Sequence, residues 1–171
     1  YGKVRAAYFC RSSGMPSWGF EGWYRDEKRS GGVALDLHIH DVDMVRFLFG
    51  EPEGVQAHTT DGGIPHISVN TTFLYPDKVV NATAEWGMAR TWKFRAEYRV
   101  CLETASVVLE GGKVTVYPSE GEPFNPEYAP ANRMAEESLY LARLVMGEIE
   151  NTKNTPEDAA ATVRMIETIY E

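Results

Sequence analysis

The sequence predicts an α+β fold: a mostly antiparallel, open sheet of about six to eight strands, with helices packed on one face. Three observations predict it. The runs 67–75, 79–86 and 94–103 alternate apolar and polar residues with period two, one after another. Gly111-Gly112 joins the short runs Val107 to Glu110 and Lys113 to Tyr117, a strong hairpin signal. Helical patterns stand on both sides of this block, over about 32–49, 132–147 and from Pro156 onward.

Each element has its own reason. Lys3 to Cys10 (KVRAAYFC) reads as a strand, and residues 11 to 31, rich in Gly, Ser, Trp and charge, suit a loop. A helix over about Gly32 to Phe49 stops at Gly50, with Pro52 just beyond. Val55 to Thr60 is a short strand. In the first long run Ile67, Val69, Thr71, Phe73 and Tyr75 form the apolar side. In the second it is Val80, Ala82, Ala84 and Trp86, and in the third Phe94, Ala96, Tyr98, Val100 and Leu102. One face of the resulting sheet must be covered, while the other can meet water or a partner. Pro118, Pro123, Pro126 and Pro130 argue against regular structure over 118–131. Asn132 caps the next helix. Thr155-Pro156-Glu157-Asp158 supplies a cap, a first-turn proline and two first-turn acids to the last one, which is expected to bury Ala159, Val163, Ile166 and Tyr170.

Composition bounds the function. The 171 residues are 43% apolar and 25% charged, ordinary for one globular domain with a substantial core, so 1–171 reads as a single domain. A net charge of −8 without a Lys/Arg cluster argues against nucleic-acid binding. No apolar run approaches the ~20 residues that span a bilayer, so no membrane is expected as a partner. Cys10 and Cys101 follow no metal spacing and read as reduced thiols in a cytoplasmic protein. Asn70 and Asn81 match the glycosylation pattern, which is common by chance. The start at Tyr1, without Met, reads as that of a fragment.

Chemistry concentrates in residues 31 to 50, GGVALDLHIHDVDMVRFLFG. On a helix Asp36, His40 and Asp43 fall at i, i+4 and i+7 and share a face. That stripe places an imidazole between carboxylates, a constellation able to hold and deprotonate a hydroxyl. Imidazole is the side chain whose protonation changes near neutral pH. Leu35, Leu37, Ile39, Val42, Met44, Leu48 and Phe49 fill the other sides, so the helix is expected to be buried apart from the stripe. His38 reads as structural or solvated, Asp41 as a surface or capping charge, and His58 and His66 as surface residues. Trp18, Phe20, Trp23 and Tyr24 read as a pocket wall or a packed lid, with Trp23 the candidate substrate contact. Arg95, Glu97, Arg99 and Glu103 read as a solvated or subunit-facing strand face. Gly31-Gly32 is either a plain turn or a point of close ligand approach.

Gly31-Gly32, Asp36, His40, Asp43, Gly50, Pro52 and the strand at Val55 together resemble the carboxyl-terminal domain of the glucose–fructose oxidoreductase, inositol dehydrogenase and MocA-like family. Gly2-Lys3-Val4 resembles the family's first strand after its nucleotide domain, and Thr155 to Ala159 with Ile169-Tyr170 its last helix. The resemblance implies an NAD- or NADP-dependent oxidoreductase acting on a CH–OH group of a sugar, polyol or related compound. It implies His40 as acid–base residue, Asp36 as its catalytic partner, and Asp43, Arg11 and Ser12 as substrate contacts. It also implies an amino-terminal Rossmann domain holding the cofactor and a homodimer or homotetramer built through the sheet face. No catalytic metal is expected, because two His and nearby Asp on a helix do not build a closed site and no further His is well placed. The Gly-rich dinucleotide fingerprint and the family's catalytic lysine are not in this sequence. The chain is therefore expected to be the substrate half, inactive alone. Two rival readings stand beside it. One is a non-catalytic binding or assembly module of the same fold. The other is a zinc-dependent amidohydrolase-like fragment, since Asp36-Leu-His38-Ile-His40 resembles the first metal-binding strand of that family.

Overall fold

The computed structural model describes residues 1–128 and 132–170, and shows the α+β architecture. Seven strands form one sheet: β1 (Val4–Ser12), β2 (Gly54–Thr60), β3 (Ser68–Leu74), β4 (Val79–Glu85), β5 (Arg95–Leu102), β6 (Ala105–Glu110) and β7 (Lys113–Pro118). Their spatial order is β2-β3-β4-β1-β5-β6-β7. Two sequential meanders, β2-β3-β4 and β5-β6-β7, thus flank β1. It runs parallel to β4, with Phe9 opposite Ala82, and antiparallel to β5, with Phe9 opposite Tyr98. Among the described residues the β1–β4 pairing is the one departure from an antiparallel sheet.

The helices are α1 (Glu27–Ser30), α2 (Ile39–Phe49), α3 (Arg133–Val145) and α4 (Pro156–Tyr170). Helices α2 and α4 lie against the β2–β4 side of the sheet. The core forms where Ala7, Phe9, Val69, Phe73, Val80, Ala82 and Ala84 meet Val33, Ala34, Leu37, Val42, Val45, Ile166 and Ile169. Each large apolar side chain buried there contributes about 1.5–3 kcal/mol. Alternation turns the intervening residues to the opposite face. There Asn70 donates to Thr83 at 2.7 Å and Thr72 to Asn81 at 2.8 Å, which places both Asn residues of the glycosylation pattern inside strands.

Several expectations need correction. Of the residues expected to be buried in the last helix, Ile166 is buried and Tyr170 half-buried, while Ala159 and Val163 stay exposed and Thr162 and Ile169 are buried instead. Its expected cap is present: Asp158 N–H donates to Thr155 Oγ1 and Thr155 N–H to Asp158 Oδ2. Residues 118–131 are not wholly irregular. Pro118 closes β7, and Phe124 exchanges two backbone hydrogen bonds with Val116, of 2.8 and 3.0 Å; Pro130 lies outside the described residues. Residues 11–31 are not one loop. Arg11 and Ser12 end β1, and a 3₁₀ segment, Phe20–Arg25, precedes α1. Glu103 lies just past β5, and its carboxylate accepts the Lys3 backbone N–H rather than joining Arg95, Glu97 and Arg99 on the open face.

Candidate functional site

Residues 32–49 are one helical stretch, and its winding decides the site. Gly31 closes α1 in the left-handed conformation at φ 73°, and Gly32 follows at φ 63°. A Cβ on Gly32 would sit 3.0 Å from Tyr170 Oη, which accepts the Ala34 N–H and donates to Gly31 O. The glycine pair therefore admits a side chain of α4. Next comes a π-helical turn, Ala34–His38, in which Ile39 N–H reaches back five residues to Ala34 O. The buried residues repeat every four: Val33, Leu37, Asp41, Val45 and Ala34, His38, Val42. A plain 3.6-residue helix would drift from a four-residue repeat by about 40° per turn, and the wide turn absorbs that drift.

The consequences run against the expected face assignments. His38 and Asp41 become fully buried against the sheet, whereas His40 is exposed and Asp36 half-buried. Leu35 and Leu48 are not buried: they stay 38% and 48% exposed, so the helix is apolar on one side only. Asp36 and His40 stay in line. Burial pushes the Asp36 carboxyl above its ordinary range, and the neighbouring His40 pulls it back. Asp43 is engaged elsewhere: its Oδ1 accepts from Thr162 Oγ1 of α4 at 2.8 Å, and Arg46 donates to the same hydroxyl at 2.5 Å.

Asp41 is the main correction. Its side chain is 0% exposed, because the four-residue repeat turns it inward onto the ends of β1 and β5. Arg11 Nε donates to Asp41 Oδ1 at 2.9 Å and Arg11 Nη2 to Tyr98 Oη at 2.5 Å. Burial raises the Asp41 pKa, opposed by Arg11, then Tyr98, then His40. Burial, and next the Asp41 charge, push the Tyr98 phenol up to about 12. Tyr98 thus lies close enough to feel Asp41, yet Asp41 Oδ2 makes no hydrogen bond to a described residue. One sequence signal pointed here. Arg11 continues the inward series Ala7, Phe9, Arg11, and a charge on a core-facing row calls for a buried counter-charge.

The remaining candidates separate. Ser12, next to Arg11 on a strand, faces the other way; it is 8% exposed and accepts Trp92 Nε1–H at 3.1 Å. Trp23 is 41% exposed, with the Arg29 guanidinium 5.0 Å from its ring centre. Trp18 packs edge-on against Tyr24 at 4.8 Å, and Tyr24 against the buried Trp86 at 5.8 Å, so this aromatic row is rooted in the core. Asp36 is near enough to Tyr24 to help raise its pKa, second to desolvation. His66 is only partly at the surface. It is half-buried, shares a 2.5 Å hydrogen bond with Glu27 and stacks 4.6 Å from Tyr170. His58 is exposed. His38 is structural: its Nε2 pairs with Thr71 Oγ1 at 2.9 Å, its Nδ1 has no partner among the described residues, and burial lowers its pKa to about 4. With His38 inward and His40 outward on a helix, the two imidazoles do not converge as the zinc reading requires. Among the described residues no group of three His, Cys, Asp or Glu is placed to hold a metal, and no helix is long and apolar enough to cross a membrane.

Comparison with known proteins agrees with this architecture. No curated protein sequence matches the chain. Among solved structures, one assigned as an oxidoreductase from Thermotoga maritima aligns with a TM-score of 0.80 at 16% identity, covering 99% of this chain and 52% of that one. A UDP-N-acetylglucosamine 3-dehydrogenase from Acidithiobacillus ferrooxidans aligns at 0.75 and 15%, covering 100% and 56%. Levoglucosan dehydrogenase, in complex with NADH and levoglucosan, aligns at 0.79 and 14%, covering 99% and 56%. The chain thus spans about half the length of these structures, and at such identities the likeness is one of fold. The sequence profile described as the GFO/IDH/MocA C-terminal domain matches residues 1–114, well over half the chain. The fold, the helix carrying Asp36 and His40 and this match converge: the chain belongs to the GFO/IDH/MocA family of oxidoreductases, as a carboxyl-terminal domain.

Proposed function

We propose that the chain is the substrate-binding half of an NAD- or NADP-dependent oxidoreductase acting on a CH–OH group of a sugar, polyol or related compound. The observation that carries this is the pairing of an exposed His40 with a half-buried Asp36 on one flank of a helix anchored in the core. A nicotinamide, when bound, supplies hydride acceptance. The chain's own work is to hold the substrate hydroxyl at the His40 ring, take its proton there, and return it in the reverse direction. Asp36 favours the protonated ring once the proton has arrived. Its raised pKa is consistent with a carboxylate kept partly out of water beside the reacting group. Asp43, tied to Thr162, serves the α2–α4 junction in this reading and leaves substrate contact to Arg11 and Trp23. The cofactor would lie chiefly on an amino-terminal Rossmann domain outside these residues, and the 171-residue chain alone is expected to be inactive. Levoglucosan and UDP-N-acetylglucosamine, named for two structural neighbours, are both sugar compounds with oxidisable hydroxyls, which favours that substrate class.

The test is His40→Ala in the full-length enzyme. General acid–base catalysis is worth about 10²–10⁴ in rate, so turnover should fall by that factor with cofactor affinity nearly unchanged. Normal turnover in the variant would refute the assignment.

A further inference from the structure

We infer that Asp41 and Tyr98 are positioning residues that turn Arg11 into a charge-compensated donor, one that takes a neutral oxygen of the substrate, a hydroxyl or carbonyl, and discriminates against anions. Its account of the ligand as substrate rests on the proposed function above. The geometry of the cluster does not.

The fork of the Arg11 guanidinium is held on one side. Nε is committed to Asp41 Oδ1 and Nη2 to Tyr98 Oη, which fixes the plane of the group at two points. Nη1 makes no hydrogen bond to a described residue, and it is not among the buried polar atoms that lack a partner. The Arg11 side chain keeps 17% of its surface, so the uncommitted edge is the part that reaches out. Asp41 below it is 0% exposed. Its neighbour in sequence is His40, which is near enough for its charge to act on Asp41.

Charge bookkeeping then sets the ligand class. An unpaired arginine at a cleft attracts carboxylate or phosphate. Here the positive charge is met by a carboxylate that cannot turn away into water. An incoming anion would meet a local net charge near zero and a buried negative centre behind it. A hydroxyl or carbonyl oxygen needs only the donor. Tyr98 adds direction: with its hydroxyl on Nη2, rotation of the guanidinium toward a bidentate anion would break an existing bond. The cluster is thus built for orientation rather than for attraction.

Nuclear magnetic resonance of the full-length protein with ¹⁵N-labelled arginine tests this, with the Arg11 signals assigned by their loss in Arg11→Lys. Sodium sulfate and the cyclic polyol myo-inositol are the probes, at constant ionic strength. In the wild type, the Arg11 Nε–H should exchange slowly and respond to myo-inositol before sulfate. Asp41→Asn should bind sulfate about tenfold more tightly, or better, as the charge is released. Tyr98→Phe keeps the ion pair, so it should speed motion of the guanidinium without gaining sulfate affinity. If Asp41→Asn fails to fold, the order of the two probes on the wild type still decides. Sulfate acting first, equal sulfate binding in wild type and Asp41→Asn, or silence toward both probes would each overturn the inference. A sulfate-responsive wild type combined with a turnover loss in His40→Ala would sink it and leave the oxidoreductase reading standing.

Discussion

His38 makes the stability of this chain depend on pH in a way that can be worked from the structure. The imidazole is fully buried, its one hydrogen-bond partner among the described residues is Thr71 Oγ1, and its folded pKa lies at about 4 against 6.5 for the free side chain. Between those values the unfolded chain binds the proton and the folded chain does not. The stabilisation is therefore complete above pH 6.5 and is lost progressively as pH falls toward about 4. At 1.36 kcal/mol per pKa unit the full loss is about 3 kcal/mol, of which about 2 kcal/mol has gone by pH 5. Asp36 and Asp41, whose pKa values are raised, act in the opposite sense: their contribution is present below the ordinary carboxylate range and is lost as pH rises through their folded values. A difference measurement separates the two. Urea unfolding of the chain and of His38→Gln at pH 7.5 and pH 5 should show the wild type losing about 2 kcal/mol more than the variant. Parallel losses would mean that His38 already carries its proton in the folded state, and the reasoning from burial would fail.

Two further outcomes follow from contacts described above. Thr162→Val removes the hydroxyl that joins Asp43 to Arg46, so the α2–α4 junction should lose about 1–3 kcal/mol in thermal or urea unfolding; an unchanged midpoint would show Asp43 and Arg46 satisfied by water instead. We also propose that the uncovered sheet face joins two subunits. There Arg99 lies 4.9 Å from the Tyr8 ring and Arg95 sits 3.6 Å from Glu97. Arg99→Glu should shift the sedimentation of the full-length protein toward monomer, and an unaltered assembly would exclude this face.

The strands were legible because burial on one face imposes a period of two, which Val69, Thr71, Phe73 and Val80, Ala82, Ala84 display without interruption. The helix over 32–49 was legible from its glycines and its stop at Gly50 and Pro52. What sequence spacing missed was phase. Counting 3.6 residues per turn put Asp41 at the surface, and one π-helical turn brought it against the sheet. That turn carries no residue signature of its own; it arises because a four-residue repeat of Val33, Leu37, Asp41 and Val45 meets a flat apolar surface. Tyr98 was hidden for a different reason. It sits properly in the apolar row of β5, and only the register that sets Phe9 opposite Tyr98 brings its hydroxyl to Arg11. His66 and Glu27 are 39 positions apart in sequence, and no local pattern announces a contact at that distance.

The central place of β1 has a consequence for how the molecule comes together in time. Each meander can zip locally, because its strands follow one another through short connections. β1 alone must find partners far along the chain, Ala7 pairing with Val80 on one side and Val100 on the other. Loop closure over such separations is entropically costly and tends to be slow. The two halves should therefore nucleate separately, and β1, the first strand of this sheet in sequence, should be among the last to dock. Arg11 lies near the end of that strand, so its pairing with Asp41 and Tyr98 would complete only when the two halves are joined. Folding kinetics of Phe9→Ala would report this as faster unfolding with little change in the refolding rate, and a strongly slowed refolding limb would place β1 in the nucleus instead.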